Sequence, residues 1–243
     1  MIKVAVLLSL VLHPASGLAR CAGLDARALE LALRMPGAEI HAVHAGDPEA
    51  PALRDYLGMG LESLTVLACS AGCDPVPALI ARFREIKPNL VLTGMRAEAG
   101  EQSGMVPYLI SEALGTSLLC DAADVACEGE TARVVQALSH GRRREVSVRL
   151  PSVLLVNEAG PVPRAPAFAK ARRGQILSFA ASNPDDAFLA ASEMHPWWAR
   201  PKRMAMPGGG SALERMKAMT EAKAGEGRLL VGPQPEEAAA AIL

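Results

Sequence analysis

The sequence predicts an α/β protein: a doubly wound, mainly parallel sheet with an antiparallel addition and an extended C-terminal arm. Three observations predict it. Up to about residue 118, short apolar runs alternate with helix-like stretches, the pattern of parallel strands joined by crossover helices. From 121 to 156, strand-like segments follow one another with only turns between them, the pattern of antiparallel pairing. Beyond about 182 the chain becomes a Pro- and Gly-punctuated stretch that carries both tryptophans and no obvious core of its own.

Each element has its own warrant. Residues 4–12 are a short apolar run closed by the turn-forming Pro14 and read as the first strand. A helix over 25–35 is stopped by Pro36 and Gly37. Residues 39–45 form a second strand, 51–58 a short helix and 63–69 a third strand. Asp74 and Pro75 place a cap and a first-turn proline ahead of a helix over 76–86. Lys87, Pro88 and Asn89 break it, and 90–93 is the fourth strand. A polar loop leads into a helix over 103–114 that Gly115 ends. The segments 121–126, 131–138, 144–150 and 152–156 form the antiparallel addition, and 157–173, rich in proline, alanine and cations, reads as an extended loop. In the tail, Pro207 to Gly210 form a linker, Ser211 and Glu214 a capping box, 228–231 a last strand, and Pro235 opens an alanine helix. The division is therefore 1–182 as an α/β nucleotide-binding domain and 183–243 as an arm that packs on a partner subunit.

Composition narrows the function. Half of the 243 residues are hydrophobic, but 44 are alanine and only 8 aromatic, which favours close packing of elements over an aromatic-lined ligand box. A net charge of −1 argues against a general polyanion binder, so no nucleic-acid partner is expected. No run of eighteen apolar residues exists, so membrane insertion is not expected either. The start, Met1-Ile2-Lys3 followed by an apolar stretch, has the outline of a secretory signal, yet the later apolar runs repeat its character and favour a buried strand. Five cysteines, odd in number and irregular in spacing, read as reduced thiols; Cys69 and Cys73 have a three-residue spacer, unlike redox or zinc pairs. A cytoplasmic location is expected.

Chemistry is looked for past the carboxyl ends of the strands, where doubly wound sheets bind ligands. The loop after the fourth strand runs from Thr93 to Gly104. Its glycines let backbone approach a ligand, and Gln102 and Ser103 stand where a helix start would favour phosphate. The plainer reading is an ordinary strand-to-helix turn with a serine cap. Neither a Walker motif nor GxGxxG is present. His13, His41, His44, His140 and His195 are scattered without ligand spacing, and no GxSxG elbow occurs, so no catalytic constellation and no metal site are expected. Arginine clusters at 142–144, 170–173 and 200–203 read first as solvated charged faces.

In their order these pieces resemble the beta subunit of electron-transfer flavoprotein. His13-Pro14 stands where that family commonly has Asp-Pro, and 25–34 is similar to the helix after its Asn-Pro-Phe turn. Leu57-Gly58-Met59-Gly60 followed by 63–67 looks like its Ala-Met-Gly-Ala and third strand. Leu92-Thr93-Gly94 with Glu101-Gln102-Ser103-Gly104 resembles its nucleotide loop. Leu150-Pro151-Ser152-Val153, Asn157-Glu158, Arg164-Ala165-Pro166 and Lys170-Ala171-Arg172 look like its Leu-Pro-Ala-Val, Asn-Glu-Pro-Arg and Lys-Ala-Lys stretch. The resemblance covers roughly residues 1–180 and rests on order and spacing more than on any one motif.

The resemblance implies a Rossmann-like, adenine-nucleotide-hydrolase-like fold and an electron-carrier subunit that is no enzyme by itself. It implies a heterodimer with an alpha subunit that holds most of an FAD, reduced by a flavin-dependent dehydrogenase and oxidised by a quinone reductase. In the beta subunit it implies AMP, a second FAD, or nothing. Gly94, Gly100, Glu101, Gln102, Ser103 and Gly104 would line the phosphates, Ala45 and Gly46 the adenosine, and His13 and Pro14 would lie near the partner-held flavin. The dehydrogenase would dock on a loop that includes Asn157, Glu158, Arg164, Ala165, Pro166, Phe168, Lys170 and Arg172. Three departures mark a divergent branch: Ala22-Gly23-Leu24 replaces Asn-Pro-Phe, the acidic run before the glutamine is reduced to Glu98 and Glu101 in a shorter loop, and Ala165 stands where leucine usually anchors the docking loop. The competing readings are a stand-alone adenine-nucleotide-binding module of the stress-protein type and an interaction protein that kept the fold and lost the nucleotide.

Overall fold

Alternation of buried side chains along the central strands builds the sheet on which everything else is placed. In the computed structural model, β1 (Ile2–Leu8) sends Val4, Val6 and Leu8 into one apolar layer and Ala5 into the other. The same two-residue period divides Leu90 and Leu92 from Val91 in β6 (Leu90–Gly94), and Leu154 and Val156 from Val153 and Leu155 in β10 (Ser152–Val156). Strands apolar on both faces need cover on both faces. One layer receives α1 (Gly23–Leu33) and α2 (Leu53–Gly58); the other receives α3 (Val76–Ile86) and α4 (Val106–Leu114) through Leu79, Phe83 and Ile110. The structure describes residues 1–70, 72–99, 102–181, 183–193, 195–196, 211–213, 216 and 234–235.

With β2 (Leu10–Leu12), β3 (Ala19–Cys21), β4 (Ala38–Gly46), β5 (Ser63–Ala68), β7 (Ser117–Glu128), β8 (Thr131–Ala137), β9 (Arg143–Arg149) and β11 (Gln175–Ala180), the described strands form a nine-stranded sheet and a small hairpin. The sheet runs in the order β11-β5-β4-β1-β6-β10-β7-β8-β9, and β2 pairs antiparallel with β3. From β11 to the start of β7 every pairing is parallel; β7–β8 and β8–β9 are antiparallel. The α/β class, the mainly parallel sheet and the antiparallel addition are thus as the sequence predicts. The order reverses between β1 and β6, which makes the carboxyl ends of these two strands the crevice where ligands of such sheets bind.

Several boundaries differ for identifiable reasons. The first apolar run is two strands, because Ser9 breaks it and turns its hydroxyl onto Asp25. Residues 152–156 are a central parallel strand and no part of the antiparallel addition; all five are buried between β6 and β7. β7 serves both regimes, turning at Asp121, whose φ is +62°, from β10 towards β8. The extended loop contains a short helix, α5 (Phe168–Arg173), and β11 follows as an edge strand on β5. Cys69 and Cys73 are not two free thiols: the turn after β5 brings their Cα atoms to 6.4 Å and the sulfurs are joined.

The chain divides into two units, Met1–Glu193 and Met194–Leu243, and every element named so far lies in the first. There, Asn183–Asp186 returns to the disulfide turn: Asp74 N–H donates to Pro184 O and Asp186 N–H to Gly72 O. Asp186 then caps α6 (Ala187–Ala190) through Phe188 N and Leu189 N. The expectations for Trp197, Trp198, Glu214, the 228–231 strand and the body of the terminal alanine helix lie outside the described residues. No helix among the described residues is long and apolar enough to cross a membrane.

Candidate functional site

At the β1–β6 crevice the chain fills its own opening. Asp25, in the first turn of α1, is 4% exposed and its carboxylate receives Ser9 N–H at 2.8 Å, the Ser9 hydroxyl, and Gly94 N–H at 2.9 Å. One side chain therefore ties the end of β1 to the end of β6 through the start of α1. Burial raises the Asp25 carboxyl to about 6, even though the Ser9 and Gly94 hydrogen bonds favour its ionised form. Glu98, from the loop after β6, accepts Gly23 N–H at 2.6 Å and pairs with Arg20 at 3.2 Å. A carboxylate thus occupies the positive end of α1. Tyr56 completes the floor, donating to Ser9 O at 2.7 Å and accepting Ala22 N–H at 3.1 Å. His44, buried, bonds Leu8 O through Nδ1 at 2.9 Å, and burial lowers its pKa.

The expected nucleotide residues lie around this crevice in unequal ways. Gly94 is glycine because α1 comes so close: a Cβ there would stand 2.6 Å from Asp25 Oδ1 and 2.8 Å from Leu24 Cβ. Ala45 and Gly46 end β4, and a Cβ on Gly46 would meet His44 Nε2 at 2.6 Å. Gln102 does not stand at a helix start. Its φ is +57°, its side-chain amide donates to Glu98 O at 3.0 Å, and α4 begins only at Val106. Ser103 Oγ accepts Met105 N–H at 3.3 Å in the turn ahead of that helix. Gly104 turns the loop at φ +73°, and Gly100 and Glu101 lie outside the described residues. His13 and Pro14 are exposed at the β2–β3 turn, where His13 Nδ1 accepts Ser16 N–H at 3.2 Å. Asp25 and Glu98, the groups that dominate the crevice, were not expected from the sequence as site residues. A carboxylate three residues into a helix and another in the facing loop were the available signal.

A second surface is built by residues 157–173. Asn157 ties its root, donating to Asp121 Oδ1 at 2.8 Å and accepting Ala159 N–H at 2.9 Å, while Glu158 is exposed beside it. Arg27 holds Gly160 O at 2.8 Å. Arg164 then clamps onto Glu30 of α1, its Nε at 2.7 Å from Oε2 and its Nη2 at 3.1 Å from Oε1, and Arg34 adds a bond to Oε1 at 2.8 Å. Burial works against the ionised Glu30, but the Arg164 and Arg34 hydrogen bonds outweigh it and hold the carboxyl at about 2. Pro166 lies on Gly58, where a Cβ would meet it at 2.8 Å, and Ala167 N–H bonds Gly58 O. Arg54 closes the far end on Ala171 O and Gly174 O. A loop fixed at so many points offers a preformed surface. It presents Ala165, Val162 at 72% exposure, Phe168 at 80%, and the cations Lys170, Arg172 and Arg173.

Among the described residues no group of three or more His, Cys, Asp or Glu is placed to hold a metal ion. Two open cavities, of about 420 and 340 Å³, lie at Asp121, Arg142 and Asn157 and at Arg34, Asp124 and Gly160. The site thus combines a doubly wound sheet, whose crevice donors at Ser9, Gly23 and Gly94 are taken by its own carboxylates, with a cation-edged loop fixed at several points. The model of the electron transfer flavoprotein domain matches residues 15–184. The chain is also 40% identical over 247 aligned positions to electron transfer flavoprotein subunit beta of Chromohalobacter salexigens, covering all of this chain and 92% of that protein. The chain belongs to the electron transfer flavoprotein family, as a beta subunit.

Proposed function

We propose that the chain works as the beta half of a heterodimeric carrier that takes electrons from a flavin-dependent dehydrogenase and delivers them towards a quinone reductase in the cytoplasm. The FAD belongs mainly to the alpha partner and supplies the redox chemistry; this chain supplies docking and orientation. The observation that carries the reading is the 157–173 surface. Its backbone is pinned to α1, α2 and β7 before any partner arrives, so little ordering is left to oppose binding. Phe168 offers the large apolar side chain, in place of the small Ala165, and the cations around it suit an acidic rim on the dehydrogenase. His13 and Pro14 are assigned to the side facing the partner-held flavin, and 183–243 to the arm that engages the alpha subunit.

Co-expression with the alpha subunit should give a yellow heterodimer that a flavin-dependent dehydrogenase reduces. Phe168→Ala should lower kcat/KM for that reduction roughly tenfold, the size of a buried aromatic anchor, without altering flavin content. A colourless complex would refute the carrier reading. An unchanged kcat/KM would refute the docking role of Phe168.

A further inference from the structure

We propose that the β1–β6 crevice of this subunit takes no nucleotide, because its own carboxylates Glu98 and Asp25 occupy backbone donors at the ends of β1 and β6 and at the start of α1. A phosphate in such a sheet is held by free N–H groups at the end of a strand and in the first turn of the following helix. Here three such donors, at the ends of β1 and β6 and at the start of α1, are already engaged. Gly23 N–H points at Glu98 Oε1, Gly94 N–H at Asp25 Oδ1, and Ser9 N–H at Asp25 Oδ2, at 2.6, 2.9 and 2.8 Å.

Space and charge agree with this. The room that Gly94 leaves is filled by Asp25 and Leu24, with no gap for a ligand between strand and helix. A phosphate entering would face the buried Asp25 carboxylate and the half-buried Glu98 carboxylate, a repulsion that disfavours anions. One rim cation able to offset it, Arg20, is paired with Glu98. Tyr56 donates to Ser9 O and accepts Ala22 N–H, and His44 bonds Leu8 O, so these backbone groups of the crevice floor are satisfied from within the chain. Among the described residues, the two carboxylates act as a built-in substitute for a bound anion at these three donors.

The proposal rests on the carrier reading only in its use of the heterodimer as the sample. Small molecules released by denaturing the co-purified heterodimer are quantified by mass spectrometry. The expected result is FAD and no AMP, with no second FAD, and a Tm unmoved by millimolar AMP. AMP or a second FAD in stoichiometric amount would overturn the proposal. A complex releasing neither flavin nor AMP would overturn the carrier reading while supporting this one. Glu98→Ala is the second arm, read by hydrogen exchange of the Gly23 amide. Loss of a charged acceptor should speed that exchange about tenfold or more. An unchanged rate would show that Glu98 does not close the helix end, and the proposal would fall.

Discussion

Glu30→Gln isolates the clamp that holds the 157–173 surface onto α1. The carboxylate receives four hydrogen bonds, three from Arg164 and one from Arg34. Glutamine keeps the shape, removes the charge, and turns an amide N–H₂ towards a guanidinium. Holding a carboxyl at about 2 instead of 4.5 corresponds to roughly 3 kcal/mol of preference for the folded state at neutral pH. The arginine side chains are 40% and 56% exposed, so water screens part of this and about 1–2 kcal/mol is expected. The sign follows from the depressed value. The contribution is complete above the unfolded carboxyl's 4.5 and disappears as pH falls from there towards 2. Urea unfolding of wild type and variant between about pH 2.5 and 7 should give curves that are separated at neutral pH and converge in acid. Tryptic cleavage after Arg164 should be faster in the variant at neutral pH. A separation that stays constant across this range, or no separation at pH 7, would refute the argument that an ionised Glu30 holds the loop.

Gly94→Ala should destabilise the fold by about 2 kcal/mol or more, because the added Cβ overlaps Asp25 and Leu24 at the point where three elements meet; thermal unfolding checks it, and an unchanged Tm would refute the close approach. Alkylation in denaturant without reductant should modify Cys21, Cys120 and Cys127 and leave Cys69 and Cys73 unmodified until a thiol reductant is added, with the count read by intact mass.

The parts of the fold legible in the sequence are those where local chemistry and tertiary setting agree. Gly115 ends α4 in the left-handed conformation with φ +63°, as its position after an apolar periodic stretch predicts. The helix over 76–86 is found with the expected bounds, since Asp74, Pro75 and the Lys87-Pro88 break mark both ends. The parts that were not legible are set by partners distant in the chain. Residues 152–156 are apolar at nearly every position, which fits a doubly covered strand, but only insertion between β6 and β7 decides that they run parallel. β11 is mostly exposed and carries no alternation to announce it. The crevice was legible in its location and illegible in its contents. Glycines at 94 and 104 mark close approach, and nothing local says that α1 is what approaches.

The placement of the few aromatic side chains ties composition to role. Tyr56 and Phe83 are fully buried, whereas Tyr108, Phe168, Phe179 and Phe188 are 44–80% exposed. The core is therefore held chiefly by alternating Val, Leu and Ala, which let helices lie close on the sheet and bring Asp25 against Gly94. Aromatic rings add most where a partner can desolvate them, and in protein interfaces they supply the anchors. Phe168 stands on the pinned loop, Phe179 on the edge strand with Arg82 5.1 Å from its ring, and Phe188 just past the disulfide turn. Among the described residues, a core of small apolar side chains, four of six rings left outside and crevice donors taken from within leave the binding capacity on the surface. That distribution suits a subunit whose work is to hold other proteins in register.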